Sequence, residues 1–296
     1  MAPYDHRYRL NHPPYNRTFH RNHEFIDEPG HITDLTAEEA VRWIHGDRVA
    51  PFFLYVPFHA VHVPLSEEPQ WLAQNEHIQS VYRRLFAAAA THMDDAIGRI
   101  VDALDETNQR ENTLIVFLSD NGGLDSHKGG KYPPPDPPLP ELSSNVSWRG
   151  HKTELYEGGI RVPAFCVWPD RLAPSKIESP THAIDWLPTL AKPVGVETEG
   201  NDQLDGQDIW PLLNGTKHDP PPRSLYWAVY EDRRWLAVRH GPWKIVKFRD
   251  RPWQLFDLEN DPREATDVAS QHPDTLQKLL AIYDREMRKD KLADDS

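Results

Sequence analysis

Hydrophobic and polar positions form blocks that predict alternating strands and helices along the first two thirds of the chain. Continuous apolar runs at residues 51–56, 114–118 and 162–168 predict strands that are buried on both faces. Apolar positions at helical spacing predict helices over 36–44 and 81–104, the first capped by its opening threonine. Strands that alternate with helices are typical of a parallel sheet, so the pattern favours the α/β fold class.

The last third of the chain has a different pattern. Short β-like runs are separated by tight turns, and a helix follows them. The β-like runs cover residues 225–230, 235–239, 243–248 and 254–258, and the helix covers 273–287. Short strands joined by tight turns indicate an antiparallel sheet. We therefore predict two domains, an α/β domain over residues 1–218 and a small α+β domain over residues 219–296.

Net charge and hydropathy narrow the possible partners. The 296 residues carry a formal net charge of −13, which argues against a nucleic-acid partner because phosphate binding needs a basic surface. An acidic protein still accepts an anionic substrate where its pocket is locally positive. No apolar run reaches the length of a transmembrane helix, so we expect no membrane partner. The oligomeric state stays open.

The single cysteine, Cys166, bears on both compartment and chemistry. One cysteine excludes an internal disulfide framework. Cys166 lies within the apolar 162–168 run, where a small buried side chain is a better interpretation than a nucleophile. The first residues of the sequence lack the apolar stretch of a secretory signal. These observations leave the localisation undecided.

A pair of oxygen-bearing side chains follows the 114–118 strand. Asp120 and Asn121 stand before Gly122 and Gly123, at the end of a strand where ligands bind in open α/β sheets. One charged and one neutral oxygen ligand suit Ca²⁺ or Mg²⁺ rather than zinc. A plain turn after a strand is the structural alternative. Because a calcium shell needs about six to eight ligands, any such site requires further residues.

Cationic side chains supply a candidate anion site. Lys152, next to His151 and shortly before a glycine pair, is a point charge that could meet a sulfate or phosphate oxygen. His62 follows the 51–56 run, where it could donate to an anion or protonate a leaving oxygen. His59 is a competitor in the same loop. A solvated surface lysine and a structural histidine are the alternatives.

The order of these motifs resembles that of the type I sulfatases. The matching segments are Pro-Phe-Phe-Leu-Tyr-Val with His-x-Pro-Leu (51–65), Ser-Asp-Asn-Gly-Gly (119–123), Arg-Gly-x-Lys-x-x-x-x-Glu-Gly-Gly-x-Arg-Val-Pro (149–163), and the segments 184–190, 204–206 and 255–264. Several independent motifs in the same order make the resemblance specific. Within the family, the residue patterns at 61–65 and 146–150 resemble the arylsulfatase B-like branch most.

The resemblance implies a fold, a reaction and site residues. The fold would be alkaline-phosphatase-like, with a sheet sandwiched by helices and a small C-terminal antiparallel sheet plus helix. The reaction would be the hydrolysis of sulfate esters, either aryl or sugar sulfates. Asp120 and Asn121 would bind Ca²⁺. Lys152 and His62 would act in catalysis by gripping the sulfate, and His151 would assist in substrate binding.

The departures from the family pattern matter equally. Family members carry, before these motifs, an Asp-Asp pair that completes the calcium site and a Lys-x-His segment that binds sulfate. They also carry a Cys/Ser-x-Pro/Ala-x-Arg motif whose first residue becomes the formylglycine nucleophile, and none of these occurs here in a matching position. We therefore expect an N-terminally truncated, catalytically incomplete sulfatase. A non-catalytic protein that binds sulfate and calcium, and a related phosphonate or phosphodiester hydrolase, are the alternatives.

Overall fold

The computed structural model describes residues 20–26, 29–47, 50–63, 65–125, 142–196, 204–217, 220–229 and 235–294. The chain divides into two compact units. The first unit combines Met1–Arg110 with Asn121–Lys152, and the second combines Glu111–Asp120 with Thr153–Ser296. The predicted division into domains at residue 218 stays a prediction. The proline-rich segment 131–140 lies outside the described residues.

The first unit is mainly helical. Its elements are β1 (His20–Arg21), β2 (Glu24–Phe25), α1 (Ile32–Ile44), α2 (Pro69–Gln74) and α3 (Val81–Glu106). Helices α1 and α2 both pack against α3. Helix α1 begins four residues before the predicted start, because the imidazole Nδ1 of His31 accepts the Thr33 amide at 3.2 Å and caps the helix. The prediction that Thr36 is the cap was therefore wrong.

Helix α3 confirms the predicted helix and extends it to Glu106. Ser80 caps its first turn by accepting the Arg83 amide at 3.4 Å. Small buried residues such as Ala88 and Ala96 line its inner face, which lets neighbouring segments approach closely. The face buries His92, which has no exposed surface. Burial lowers the pKa of His92, but the nearby carboxylates of Glu67 and Asp34 outweigh it and raise the pKa above its usual value.

The apolar run 51–56 does not form the predicted buried strand. It is extended but has no strand partner among the residues that the structure describes. Its side chains alternate: Phe52 packs edge-on against Trp43 with ring centroids 5.2 Å apart, whereas Phe53 and Tyr55 are 78% and 75% exposed. A continuous apolar run suggested burial on both faces, and in the described structure only one face is covered.

The second unit begins with a pair of strands. Strand β3 (Ile115–Leu118) pairs with β4 (Ala164–Val167). The two run antiparallel, with Phe117 opposite Phe165 and their rings stacked at 4.9 Å. The α/β class is confirmed, but the expectation of parallel pairing was wrong for these two strands. Apolar periodicity identifies a strand and carries no information on its direction.

The C-terminal part confirms the predicted small antiparallel sheet with a helix. Four strands follow one another in spatial order, and a long helix packs on strands β5, β6 and β7. They are β5 (Ser224–Val229), β6 (Trp235–His240), β7 (Trp243–Phe248), β8 (Gln254–Asp257) and the helix Pro273–Asp294. Gly241, with φ of 57°, makes the tight turn between β6 and β7. Val238, Ile245 and Leu255 form the core beneath the helix.

Three short α-helices occur among the described residues of the second unit. They are α4 (Glu157–Ile160), α5 (Trp186–Ala191) and α6 (Trp210–Leu213), and the C-terminal helix is α7. No helix in the described part of the chain is long and apolar enough to cross a membrane.

A buried ion cluster ties α4 to the C-terminal sheet. The Lys244 ammonium on β7 lies 2.8 Å from Glu157 Oε1 and 2.8 Å from Glu264 Oε1. Glu264 Oε2 also accepts the Glu157 amide at 2.6 Å. All three residues are buried, and burial raises the pKa of Glu264 although Lys244 opposes this. The start of α4 is therefore fixed to the sheet by charge as well as by packing.

A second buried carboxylate organises the turn before α5. Asp185 is fully buried and accepts three hydrogen bonds, from the His182 amide at 2.7 Å, the Gln207 amide at 3.0 Å and the Arg223 guanidinium at 2.7 Å. A Cβ on Gly206 would overlap the Ile184 carbonyl oxygen. The motifs at 184–190 and 204–206 thus form one packed junction.

Candidate functional site

The segment after β3 carries the two predicted metal ligands. Its exit from the sheet is fixed by the Ser119 amide, which donates to the Pro163 carbonyl at 3.1 Å. Asp120 is exposed and Asn121 is half-buried. The Asn121 side-chain amide donates from Nδ2 to the Gly122 carbonyl at 3.0 Å, which orients its Oδ1 away from that bond. A carboxylate and an amide oxygen therefore follow one another at the end of the strand.

Asn145 joins this turn to the segment that carries Lys152. Its Oδ1 accepts the Gly123 amide at 2.9 Å, while its Nδ2 donates to the carbonyls of Gly123 at 2.9 Å and Gly150 at 3.2 Å. The Lys152 amide then donates to the Gly123 carbonyl at 3.1 Å. The backbone of Lys152 is thereby held at Gly123, which is two residues after Asn121 in the chain, although Lys152 itself lies 31 positions after Asn121.

The two side chains of the predicted anion site on this segment are both half-buried. The Lys152 ammonium makes no hydrogen bond or ion pair with any described residue. His151 places Nδ1 at 2.9 Å from the Lys152 carbonyl, and because a carbonyl only accepts, Nδ1 carries the proton. Its Nε2 lies 4.0 Å from Asp125 Oδ1.

His62 lies in a turn closed by its own amide, which donates to the His59 carbonyl at 2.9 Å. Its Nδ1 lies 2.6 Å from the Val63 carbonyl, so Nδ1 again carries the proton and Nε2 points elsewhere. The competitor His59 packs against it with ring centroids 5.6 Å apart. The same tautomer thus holds for His62 and His151.

An apolar cluster holds the His62 loop beside the segment that follows Gly123. Val63 and Leu65 from the loop pack with Leu142, and Leu124 packs against the same cluster. Among the described residues, no hydrogen bond or ion pair joins the side chains of His62 and Lys152. The structure therefore brings the Lys152 backbone to Gly123, two residues after Asn121, and packs the His62 loop against the segment that follows Gly123.

Sequence reasoning missed Asn145, which organises this region. Asn145 begins an Asn-x-Ser triplet, which matches the pattern of a glycosylation acceptor, and such matches are frequent by chance. In the structure its side-chain amide is occupied by the hydrogen bonds to Gly123 and Gly150. A glycine pair after a strand needs such a partner, but nothing in the sequence indicates that the partner lies 22 positions away.

Removal of the Asn145 side chain tests this organisation. We expect Asn145→Ala to lower the free energy of unfolding by about 1–3 kcal/mol, because it leaves half-buried donors and acceptors of the turn unpaired. Chemical denaturation followed by tryptophan fluorescence measures the change. Ser144→Ala is the matched control, since Ser144 is exposed and should change the value by less than about 0.5 kcal/mol. Equal effects of the two substitutions would contradict the bridging role.

The other candidate residues take structural positions. Cys166 lies in β4, half-exposed, against the apolar cluster of Ile209, Leu212 and Leu213. Burial raises the pKa of its thiol, which disfavours the reactive thiolate. Asp95 pairs with Arg99 at 3.4 Å one turn along α3, on the surface of the helix.

A second group of metal-binding side chains lies in the first unit and was not predicted from the sequence. His31, Asp34 and His92 bring their ligand atoms within 4.8 Å of one another. None of the three belongs to the site around Asn121 and Lys152. Their separation in sequence gave no spacing of the kind that marks a metal motif.

Comparison with known proteins places these observations in context. A family model described as sulfatase matches residues 4–196, and one described as N-sulphoglucosamine sulphohydrolase, C-terminal, matches residues 148–290. Human steryl-sulfatase is 32% identical, over 91% of this chain and 50% of its own length. An N-acetylgalactosamine-6-O-sulfatase of Bacteroides thetaiotaomicron is 28% identical, over 86% of this chain and 50% of its own length.

A solved structure extends the match to the fold. The crystal structure of Ps i-CgsB in complex with k-i-k-neocarrahexaose superimposes with a TM-score of 0.78 and 32% identity, covering 93% of this chain and 58% of that one. The chain thus spans about half the length of the curated relatives that it matches.

Proposed function

Because this chain belongs to the sulfatase family, we propose that it supplies the calcium- and sulfate-binding part of a sulfuric ester hydrolase. The family is typically metal-dependent. The observation that carries the proposal is the contact of the Lys152 amide with the Gly123 carbonyl at 3.1 Å. It holds a cationic segment against the turn that carries two oxygen ligands.

Asp120 and Asn121 fit the chemistry of calcium. Both offer oxygen, the ligand atom that Ca²⁺ prefers, and the Asn121 amide nitrogen donates to the Gly122 carbonyl at 3.0 Å. Two ligands are fewer than the about six to eight that Ca²⁺ takes. We therefore expect the chain by itself to bind calcium weakly, with the remaining ligands supplied by other groups.

Lys152, His62 and His151 would bind the sulfate group. The Lys152 ammonium meets a sulfate oxygen as a point charge, and His62 and His151 face it with Nε2, since Nδ1 of each is bonded to a backbone carbonyl. Bound calcium would add positive charge that stabilises the sulfuryl oxygens. Charge stabilisation of this kind is usually the largest contribution to such a reaction.

The nucleophile is the part that this sequence does not supply. No Cys/Ser-x-Pro/Ala-x-Arg motif occurs among the 296 residues, and Cys166 packs in β4 with a raised pKa. Loss of a nucleophile removes nearly the whole rate enhancement rather than a fraction of it. We therefore propose that this chain alone binds sulfate and calcium without turnover, and that hydrolysis belongs to the full-length architecture of the family.

The substrate class is a sulfate ester of an aryl alcohol or a sugar. The names of two relatives support a sugar, because one is an N-acetylgalactosamine-6-O-sulfatase and the other was crystallised with k-i-k-neocarrahexaose. The name of human steryl-sulfatase supports a ring alcohol. The proposal stays at the level of the sulfate group, which all of these share.

Titration calorimetry with inorganic sulfate, with Ca²⁺ or with EDTA, tests the proposal. We expect the chain to bind sulfate, and Lys152→Ala to weaken binding by about 10–100-fold, the value of one charge-assisted hydrogen bond. Lys176→Ala is the matched control, since Lys176 is exposed and paired with Glu178. Loss of binding in both variants, or in neither, would contradict a specific role of Lys152.

Hydrolysis of 4-nitrophenyl sulfate by the same samples tests the nucleophile. We expect no turnover above background with Ca²⁺ or with EDTA. Calcium-dependent turnover would show that another group acts as the nucleophile. Turnover of bis(4-nitrophenyl) phosphate or of a phosphonate ester would instead favour a phosphodiester or phosphonate hydrolase.

A further inference from the structure

A buried cluster of histidines and carboxylates joins three segments of the first unit. His92 from α3 is fully buried, and the buried side chain of Glu67 lies beside it. Asp34 from the first turn of α1 and His31, the cap of α1, complete the cluster. Trp71 stacks on the His92 ring at 4.5 Å and covers its other side. The cluster is therefore buried except at Asp34, whose side chain is 30% exposed.

Glu67 determines which His92 nitrogen carries a proton. Its Oε2 lies 2.8 Å from His92 Nδ1, so Nδ1 donates and the lone pair of a neutral ring is on Nε2. His92 Nε2 lies 3.2 Å from Asp34 Oδ1 but is not aligned with it as a hydrogen bond. In a neutral ring this lone pair would face a carboxylate oxygen, which is repulsive, so the contact requires either a proton on Nε2 or a bound cation between the two atoms.

The separation of these two atoms suits a metal ion. Nitrogen and oxygen ligands that each lie about 2.0–2.1 Å from zinc, at an angle near tetrahedral, are about 3.3 Å apart. A metal-bound histidine commonly donates its other N–H to a carboxylate, which orients the ring. Glu67 makes this contact with His92. The distance between His92 Nε2 and Asp34 Oδ1 and the hydrogen bond from His92 to Glu67 are therefore both typical of a metal site.

His31 provides the third ligand. Its ring lies 4.6 Å from that of His92, between centroids, and the ligand atoms of His31, Asp34 and His92 lie within 4.8 Å of one another. Its Nδ1 accepts the Thr33 amide at 3.2 Å, and its Nε2 lies 2.9 Å from the Ser66 carbonyl. Coordination through Nε2 would replace the contact with Ser66 and leave the helix cap intact.

We propose that His31, Asp34 and His92 bind one divalent transition metal ion, for which zinc is the probe, with Glu67 orienting His92. Two imidazole nitrogens and one carboxylate oxygen are ligands of zinc rather than of calcium. The ion would join α1 to α3. Asp34, the most exposed of the three side chains at 30%, provides the route of entry and the side where a water would complete the shell.

Arg99 competes with the metal. Its guanidinium donates to the same Asp34 oxygen at 2.6 Å and is about a third exposed. A neighbouring cation disfavours a metal ion, so Arg99→Met is expected to strengthen zinc binding. An increase in zinc affinity on loss of Arg99 is expected only if the cluster binds a metal. In a purely structural cluster, Arg99→Met would not increase zinc affinity.

Zinc titration of the full chain, stripped with EDTA and monitored with a competing chromophoric chelator, tests the proposal. We expect one tight equivalent of zinc in the unmodified chain. Asp34→Asn should weaken binding at least about tenfold, and Glu67→Gln by about 10–100-fold, as for other groups that support a metal ligand. Cobalt in place of zinc should give visible absorption bands that Asp34→Asn abolishes.

His45→Gln is the matched control, because His45 also pairs with a carboxylate across the same two helices, Glu106 at 3.3 Å. It should leave zinc binding unchanged.

Two outcomes would overturn the proposal: the unmodified chain binds no tight equivalent of zinc, or Asp34→Asn binds zinc as tightly as the unmodified chain. Either outcome would assign the positive charge between His92 and Asp34 to a proton on His92. Should Asp34→Asn fail to fold, as judged by circular dichroism, His31→Asn provides the same comparison and keeps a helix-capping side chain. Sulfate binding at Lys152 is a separate readout, so the two proposals fail independently.

Discussion

Replacement of Lys244 by methionine is expected to lower the free energy of unfolding by about 3–5 kcal/mol, the cost of breaking a buried ion pair from one side. The substitution keeps an unbranched, apolar stem of similar length and removes the ammonium group. Glu157 and Glu264, each 2.8 Å from the ammonium, would then lose the cation that they share, and only the longer contacts of Glu157 with Arg161 and Arg239, both at 3.7 Å, would remain. Since folded domains are stable by only about 5–15 kcal/mol, much of the margin would be lost. Denaturant unfolding measures the effect.

Lys247→Met is the matched control on the same strand. Its ammonium lies over the Trp253 ring at 5.8 Å from the centroid, an interaction worth about 0.5–1 kcal/mol at exposed sites. The expected difference between the two variants is therefore several-fold. A Lys244→Met protein as stable as the unmodified one would mean that the two carboxylates protonate or find water when the lysine is absent.

Replacement of Asp185 by alanine is expected to have an effect of similar size, about 3–5 kcal/mol. Arg223 would be left mostly buried and without its partner at 2.7 Å. The amides of His182 and Gln207 would also lose their acceptor, and unpaired buried donors carry their own cost. We expect thermal unfolding to move to markedly lower temperature, by calorimetry or circular dichroism.

Asp205→Asn gives the comparison for this experiment. Asp205 is exposed and stands one residue before Gly206 in the same Leu-Asp-Gly motif, so its change should stay within about 0.5 kcal/mol. If Asp205→Asn lowered the free energy of unfolding as much as Asp185→Ala, the packed junction around Asp185 would not explain the stabilising role of the Leu-Asp-Gly motif.

Local signals explain what could be predicted from the sequence. The strand bounds of the C-terminal sheet were predicted to within a residue or two. The signals were the short apolar runs and the tight turns between them, such as 240–242 and 250–252, because adjacent strands pair through short connections. The candidate ligands Asp120 and Asn121 were found for a similar reason, since a strand and its exit turn are contiguous. Lys152 was singled out by its neighbours, His151 and the glycine pair that follows, and the resemblance then implied its role.

What could not be predicted depends on contacts between distant segments. The antiparallel pairing of β3 with β4 joins residues about fifty positions apart, and apolar runs do not encode direction. A lysine within a strand is ordinarily solvated, yet Lys244 is fully buried. Its partners lie 87 positions before it and 20 after it, in segments whose own patterns give no reason to expect a buried charge.

The histidine cap of α1 was missed for a different reason. Helix starts are usually marked by serine, threonine, aspartate or asparagine, and Thr36 offered such a mark. In the structure the Thr36 hydroxyl bonds back to the Ile32 carbonyl at 2.8 Å within the helix. His31 does the capping, and it is a residue that also belongs to the cluster with His92.

The attachment of α4 to the C-terminal sheet decides where the protein could be divided. Tyr156 donates to Gln254 at 2.5 Å and packs with Trp235 and Phe256, and Glu157 is paired with Lys244. A recombinant fragment that ends at residue 218 would keep the α4 segment and lose the strands that neutralise and cover it. For a two-piece reconstitution, the cut should instead fall before Leu155, so that the Glu-Gly-Gly segment and the four-stranded sheet are expressed as one polypeptide.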